Sequence, residues 1–222
     1  KTASAVITAS YGPVVQNVTV TVADGRFWYS LGNGLGNGQD NNWYLDGNGA
    51  SVVSSDGKKT IVQMGSGYRG DLWLARSGKG KVVNVTPADY RYFAIKVGFK
   101  SQLVPGKNKP NGCIKLEIFD DGIKKIGPEY FGTGGDANNR YEILGASEIS
   151  TTEPNVLYYD LQSKYKTVTP TDWNQVFDLA QCKFVIADFP ETAQTYDLYW
   201  IRSFKSIEEL QAFVDSENNT NE

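Results

Sequence analysis

The sequence predicts an all-β sandwich with one short C-terminal helix. Three observations predict it. β-Branched and aromatic residues recur at a period of two, Asx-Gly turn dipeptides separate those runs, and no βαβ alternation is present. The 222 residues fit a single domain with room for a sizeable core. We read 1–222 as that domain, with 1–13 a leading segment or linker and 218–222 a frayed polar tail.

The elements follow in order. The first ten residues mix apolar and small side chains and end at a Tyr11-Gly12-Pro13 break. Val18, Val20 and Val22 alternate with Thr19 and Thr21. Thr60 to Met64 and Asp71 to Arg76 are short strand candidates. Phe93, Ile95, Val97 and Phe99 share one face, opposite Ala94, Lys96, Gly98 and Lys100, the clearest strand of the chain. Ile114, Leu116 and Ile118 alternate with Lys115 and Glu117, and further strands are expected at Tyr141–Leu144, Val156–Leu161, Lys183–Phe189 and Tyr196–Phe204. In the last of these Trp200 shares a face with Leu198, Arg202 and Phe204 and is expected to pack in the core. Asp24-Gly25, Asp56-Gly57, Asn111-Gly112, Asp121-Gly122 and the run Gly132 to Asp136 mark turns. Ser206 and Glu209 have capping-box spacing, and Ile207, Leu210, Phe213 and Val214 form the apolar stripe of a helix ending near Ser216. A second short helix is expected around Thr171 to Trp173.

Composition removes several function classes. Lys plus Arg is 22 and Asp plus Glu is 25, a net charge of −3 with no basic run, which argues against nucleic acid. No apolar run approaches the roughly 20 residues that span a bilayer. No cleavable signal is legible, and Lys1 to Ser4 reads as a trimmed start. Histidine is absent, so serine triads, Cys–His dyads and His-based zinc sites are excluded. Two cysteines, Cys113 and Cys182, form no CxxC pair; we expect free thiols over a disulfide.

Two segments carry recognition chemistry. From Arg26 to Tyr44 the clusters Phe27-Trp28-Tyr29 and Trp43-Tyr44 flank a loop of Gly, Asn, Gln and Asp. Flat rings beside amides suit a sugar, which has an apolar face and a rim of hydroxyls; they equally suit a long hairpin loop with nothing bound. The loop lacks the third Gly of GxGxxG and any GK[ST], so it is not a phosphate cradle. In the second segment Tyr68 and Trp73 offer rings, Arg69 a five-donor fork and Asp71 an acceptor. With Leu72 and Leu74 facing the core, Trp73 faces outward, either to bind or to cover the second face of its sheet. The candidate ligand-binding set is therefore Trp43, Tyr44, Tyr68, Arg69, Asp71 and Trp73, with Trp173 next in line. No catalytic residue is singled out. A carboxylate pair such as Glu117 with Glu142 or Asp160 keeps glycoside cleavage open by residue type. The oxygen-rich turns Asp40 to Asn42, Asp120 to Gly122 and Asp136 to Asn139 lack EF-hand spacing; no cofactor is expected, a structural calcium aside.

The stretch Ala88 to Lys96 and the ending Tyr199 to Leu210 resemble carbohydrate-binding-type β-sandwich domains of Bacteroidetes cell-surface glycan-utilisation proteins. The likeness covers roughly Trp28 to Asp215 and carries no ligand-contact motif. It implies a jelly-roll-like, galactose-binding-like sandwich. It also implies a secreted or cell-surface, lipid-anchored setting beside glycoside hydrolases. The expectation is non-catalytic binding of a polysaccharide or oligosaccharide by a monomer or a module of a larger protein. A glycoside hydrolase or polysaccharide lyase using carboxylates or Tyr and Arg is the alternative, and a structural spacer domain of a larger surface protein the second.

Overall fold

The computed structural model describes residues 2–23, 25–36, 41–46, 49–65, 70–75, 83–86, 88–102, 114–120, 129–131, 141–162, 177–186 and 194–219. The chain runs β1 (Thr2–Tyr11), β2 (Val14–Ala23), β3 (Trp28–Ser30), β4 (Tyr44–Asp46), β5 (Ser51–Ser55), β6 (Thr60–Gln63), β7 (Asp71–Ala75) and β8 (Val83–Val85). It continues with β9 (Tyr92–Phe99), β10 (Ile114–Asp120), β11 (Glu129–Phe131), β12 (Glu142–Ile143), β13 (Asn155–Asp160), β14 (Phe177–Ile186), β15 (Thr195–Phe204) and α1 (Ile207–Asn219). This is the all-β sandwich with a C-terminal helix that the periodicity predicts. The second helix expected near Trp173 lies outside the described residues.

Two open antiparallel sheets form the body. One has the order β12-β13-β9-β15-β6-β5, with β3 also on β15; the other has the order β11-β10-β14-β7-β4, with β8 also on β14. Each sheet gives one face to a shared core. Phe93, Ile95, Val97, Phe99, Leu157, Tyr196, Leu198 and Ile201 come from the first, and Leu72, Leu74, Ile114, Leu116, Phe184 and Ile186 from the second. The alternating residues of the strands thus meet between layers, as sandwich packing requires.

The first sheet carries a second apolar layer on its outer face. There Ala94, Val156, Trp200 and Phe204 lie under Leu210 of α1, with Phe213 and Val214 beside them. Trp200 is buried, as expected, but not on the face of Leu198. The β15 register shifts between Leu198 and Trp200 against β9, a bulge that inserts one residue and turns the rest of the strand over. Leu198 therefore enters the inter-sheet core, whereas Trp200 and Phe204 face the helix.

The helix begins as the capping box predicts. Ser206 Oγ accepts from the Glu209 amide at 3.2 Å, and Glu209 Oε2 accepts from the Lys205 amide at 2.7 Å. It ends at Asn219, a turn beyond the expected Ser216. Residues before Asp24 form a separate two-stranded sheet, β1 with β2, hinged on the Tyr11 to Pro13 break. Residues 1–13 were expected to be a leading segment or linker; residues 2–11 instead form one strand of a hairpin. Among the described residues no helix is long and apolar enough to cross a membrane.

Candidate functional site

The Gly/Asn loop is organised by one buried amide. Asn41 Oδ1 accepts from the amides of Gly36 (3.0 Å) and Trp43 (3.2 Å). Its Nδ2 donates to the carbonyls of Ser30 and Gly34, both at 2.9 Å. Thr60 Oγ1 adds a bond from the Gly34 amide at 3.1 Å and donates to the Leu31 carbonyl. Gly34 and Gly36 sit at φ of 97° and 65°, and a Cβ at Gly32 would run into the Gly57 carbonyl. Asn41 and these glycines thus serve the backbone of the turn. Asn37 to Asp40 lie outside the described residues.

That turn sends neighbouring rings to opposite sides. Trp43 is fully buried in the inter-sheet core, its ring 5.7 Å from Phe184 and 6.0 Å from Tyr29. This corrects the expectation of an exposed platform at Trp43: its Nε1 is buried and has no hydrogen-bond partner. Burial pushes the nearby Tyr29 hydroxyl up to about 12, helped by Cys182. Tyr44, the next residue, begins β4 and stands directly opposite Trp73 of β7.

Tyr44, Asp71 and Trp73 come together on the outer face of the second sheet, where Leu72 and Leu74 face inward. Trp73 does turn away from the core, but only 9% of it is exposed. Tyr68 and Arg69 lie outside the described residues. Lys183 of β14, which the sequence reading missed, completes the group. It is paired with Trp73 in register, its Nζ is 4.6 Å from the indole centroid, and it stands 3.7 Å from Asp71 Oδ2. Its signal was a single lysine between Cys182 and the apolar run Phe184 to Ile186. Both charged side chains are about nine-tenths buried, where each is tolerable only with a partner. The arrangement offers an aromatic pair with a carboxylate and an ammonium beside it, the chemistry of hydroxyl recognition.

A second aromatic cluster lies at the helix. Trp28 is 39% exposed, with the Arg26 and Arg202 guanidinium carbons 4.0 Å and 4.4 Å from its ring centroid. Its edges meet Phe204 and Phe213. Burial draws Arg202 below the ordinary guanidinium range, against the pull of Glu217. Glu217 also accepts from Lys96 Nζ at 3.1 Å and Trp200 Nε1 at 3.0 Å. The ring and its cations thus clamp α1 to the sheet.

Two carboxylates of the first sheet, Asp160 and Asp197, are held in ion pairs. Asp160 binds Arg91 through two bonds of 2.7 Å and 2.6 Å, and Asp197 Oδ2 meets Lys59 at 2.7 Å and Lys100 at 3.0 Å. Glu142 stands on β12 beside β13 and is exposed, while Glu117 belongs to β10 of the other sheet. Among the described residues no group of three His, Cys, Asp or Glu side chains could hold a metal. Of the calcium-candidate turns, Asp40, Asp121, Gly122 and Asp136 to Asn139 lie outside them, as do Trp173 and Cys113. Cys182 is a free, buried thiol.

Among known families, residues 31–210 match the one described as a domain of unknown function, DUF4979. The match runs from the Gly/Asn loop to the first turn of α1 and leaves out the β1–β2 hairpin. No curated protein matches the chain.

Proposed function

The chain belongs to the DUF4979 family, and we propose, from the geometry of its second sheet, that it binds a polysaccharide or oligosaccharide, without cleaving it, on the outer face of that sheet. The setting would be secreted or at the cell surface. One observation carries the reading: Tyr44 and Trp73 stand directly opposite each other with the Asp71–Lys183 pair beside them. Tyr44 is the more open ring of the two and provides the stacking surface; Trp73 supports it from the neighbouring strand. Apolar contact and the attraction of polarised C–H groups to a ring face drive such stacking. The engagement of Asp160 and Asp197 in ion pairs favours binding over carboxylate catalysis.

The test is a glycan array on the purified chain, followed by calorimetry of any hit with parent and Tyr44→Ala. Loss of a central aromatic commonly weakens binding about tenfold or more. The expected result is that loss with the thermal midpoint nearly unchanged. Silence across the array, or full affinity in Tyr44→Ala, would remove the site. Release of reducing ends or unsaturated products above a heat-denatured control would replace binding with cleavage.

A further inference from the structure

The β1–β2 hairpin is the part of the molecule whose chemistry the glycan reading does not use. From Thr2 to Ala23 it contains no charged residue. Its register places Ala3 opposite Val22, Ala5 opposite Val20, Ile7 opposite Val18, Ala9 opposite Gln16 and Tyr11 opposite Val14. Residues directly opposite in an antiparallel pair share a face. Between Ala5 and Val20 one face therefore reads Ala, Ile, Ala, Tyr against Val, Val, Gln, Val. The other carries Thr8, Ser10, Asn17 and Thr19 together with Val6 and Val15. Every side chain from Ala5 to Val20 is exposed, including Ile7 at 58% and Val18 at 57%. A lone two-stranded ribbon is at best marginally stable, and an uncovered apolar sheet face is an association surface.

We propose that the occupant of this face is the same face of a second copy, making a small two-layer β-sandwich at a dimer interface. Shape singles out the copy. The cross-strand pairs set the small Ala5 and Ala9 of β1 against the larger Val20 and Gln16 of β2. A two-fold axis lying between the layers and parallel to the strands sets β1 of one copy over β2 of the other. Ala5 then lies over Val20 and Ala9 over Gln16, each small side chain against a larger one, with Ile7 over Val18 at the centre. Such small-on-large contact is how facing sheets interdigitate about 10 Å apart, and a two-fold interface repeats every contact twice. The absence of charge means that identical faces meet without repulsion. Two faces of ten-residue strands bury about 1,000 Å² in total, the lower bound for a specific interface, so the dimer is concentration-dependent. The hairpin lies outside residues 31–210, so association is a property added to the family's sandwich.

Sedimentation equilibrium of the whole chain tests this. Between about 1 μM and 1 mM, the range expected for so small an interface, the mass should rise from 24.5 kDa towards twice that value. Ile7→Lys/Val18→Lys, on the apolar face, should hold the chain monomeric throughout. Thr8→Lys/Asn17→Lys places the same opposed charges on the polar face and should dimerise as the parent does. A parent that stays monomeric overturns the proposal. So does a dimer that survives Ile7→Lys/Val18→Lys, which would point to strand-edge pairing or another surface. Loss of the dimer in both double variants also overturns it, since the apolar face would then have no special part.

Discussion

Asn41→Ala is the sharpest perturbation of the Gly/Asn turn. The side chain is almost fully buried; it accepts from the Gly36 and Trp43 amides and donates to the Ser30 and Gly34 carbonyls. Each such bond is worth about 1 kcal/mol net, and a buried group left unpaired costs more. Water reaches part of this half-buried loop, so we expect a loss of about 2–4 kcal/mol. For a chain of this size that corresponds to a drop in thermal midpoint of about 5–15 °C. Calorimetry with a parallel urea titration measures it, with the slope in urea unchanged. Asn41→Asp keeps both acceptors but sets a carboxylate against two carbonyl oxygens. It should cost at least as much at neutral pH, and less once acid restores a donor. A midpoint within about 2 °C of the parent for Asn41→Ala would refute the reasoning: the turn would then be held by Thr60 and the glycines without the amide.

Two further outcomes follow from ionised groups. Lys183→Met leaves the buried Asp71 carboxylate without its ammonium and should cost about 3–5 kcal/mol in urea unfolding, whereas Lys183→Met/Asp71→Leu should recover most of the loss; a single-variant cost below about 1 kcal/mol would mean a well-solvated pair. The Asp56 carboxylate accepts from the amides of Lys59 at 2.8 Å and Lys58 at 2.9 Å, which holds it below its ordinary 3.8. The unfolded chain therefore binds the proton first, so the contribution is complete above that ordinary value and fades as pH falls through the folded one. The midpoint deficit of Asp56→Ala, followed from about pH 6 to 2, should be constant at first and vanish at the acid end; a deficit that persists there would assign it to lost packing.

β9 was legible because its large apolar residues all fall on one face. β9 and β10 show their period in the residue types themselves, and the capping box marks the helix start. What stayed hidden depends on geometry that periodicity does not encode. A bulge adds one residue without altering the composition of β15, so Leu198 and Trp200 read as neighbours on one face although they lie in different cores. β4 is only three residues long, too short for its pattern to say which of Trp43 and Tyr44 points inward. The amide of Asn41 has the same chemistry whether it faces a sugar hydroxyl or a backbone carbonyl, and only the fold decides. Lys183 joined the candidate site through cross-strand register, which links positions about a hundred residues apart with no local trace.

The role of β15 bears on the order in which the molecule can assemble. Trp28, Tyr29 and Ser30 of β3 pair with Arg202, Ile201 and Trp200, and the Phe27 amide donates to Ser203 Oγ across 176 residues of chain. β9 and β6 lie on either side of the same strand. The first sheet therefore has a gap at its centre until β15 has been synthesised. On the ribosome, β6 and β9 would wait with unpaired edges while the β1–β2 hairpin closes locally, on a timescale of about 1–10 μs. Long-range pairing of this kind makes folding slow and leaves strand edges open to wrong partners in the interval. Chains cut short before Thr195 should thus be rescued poorly by time or cooling and well by supplying the missing strand.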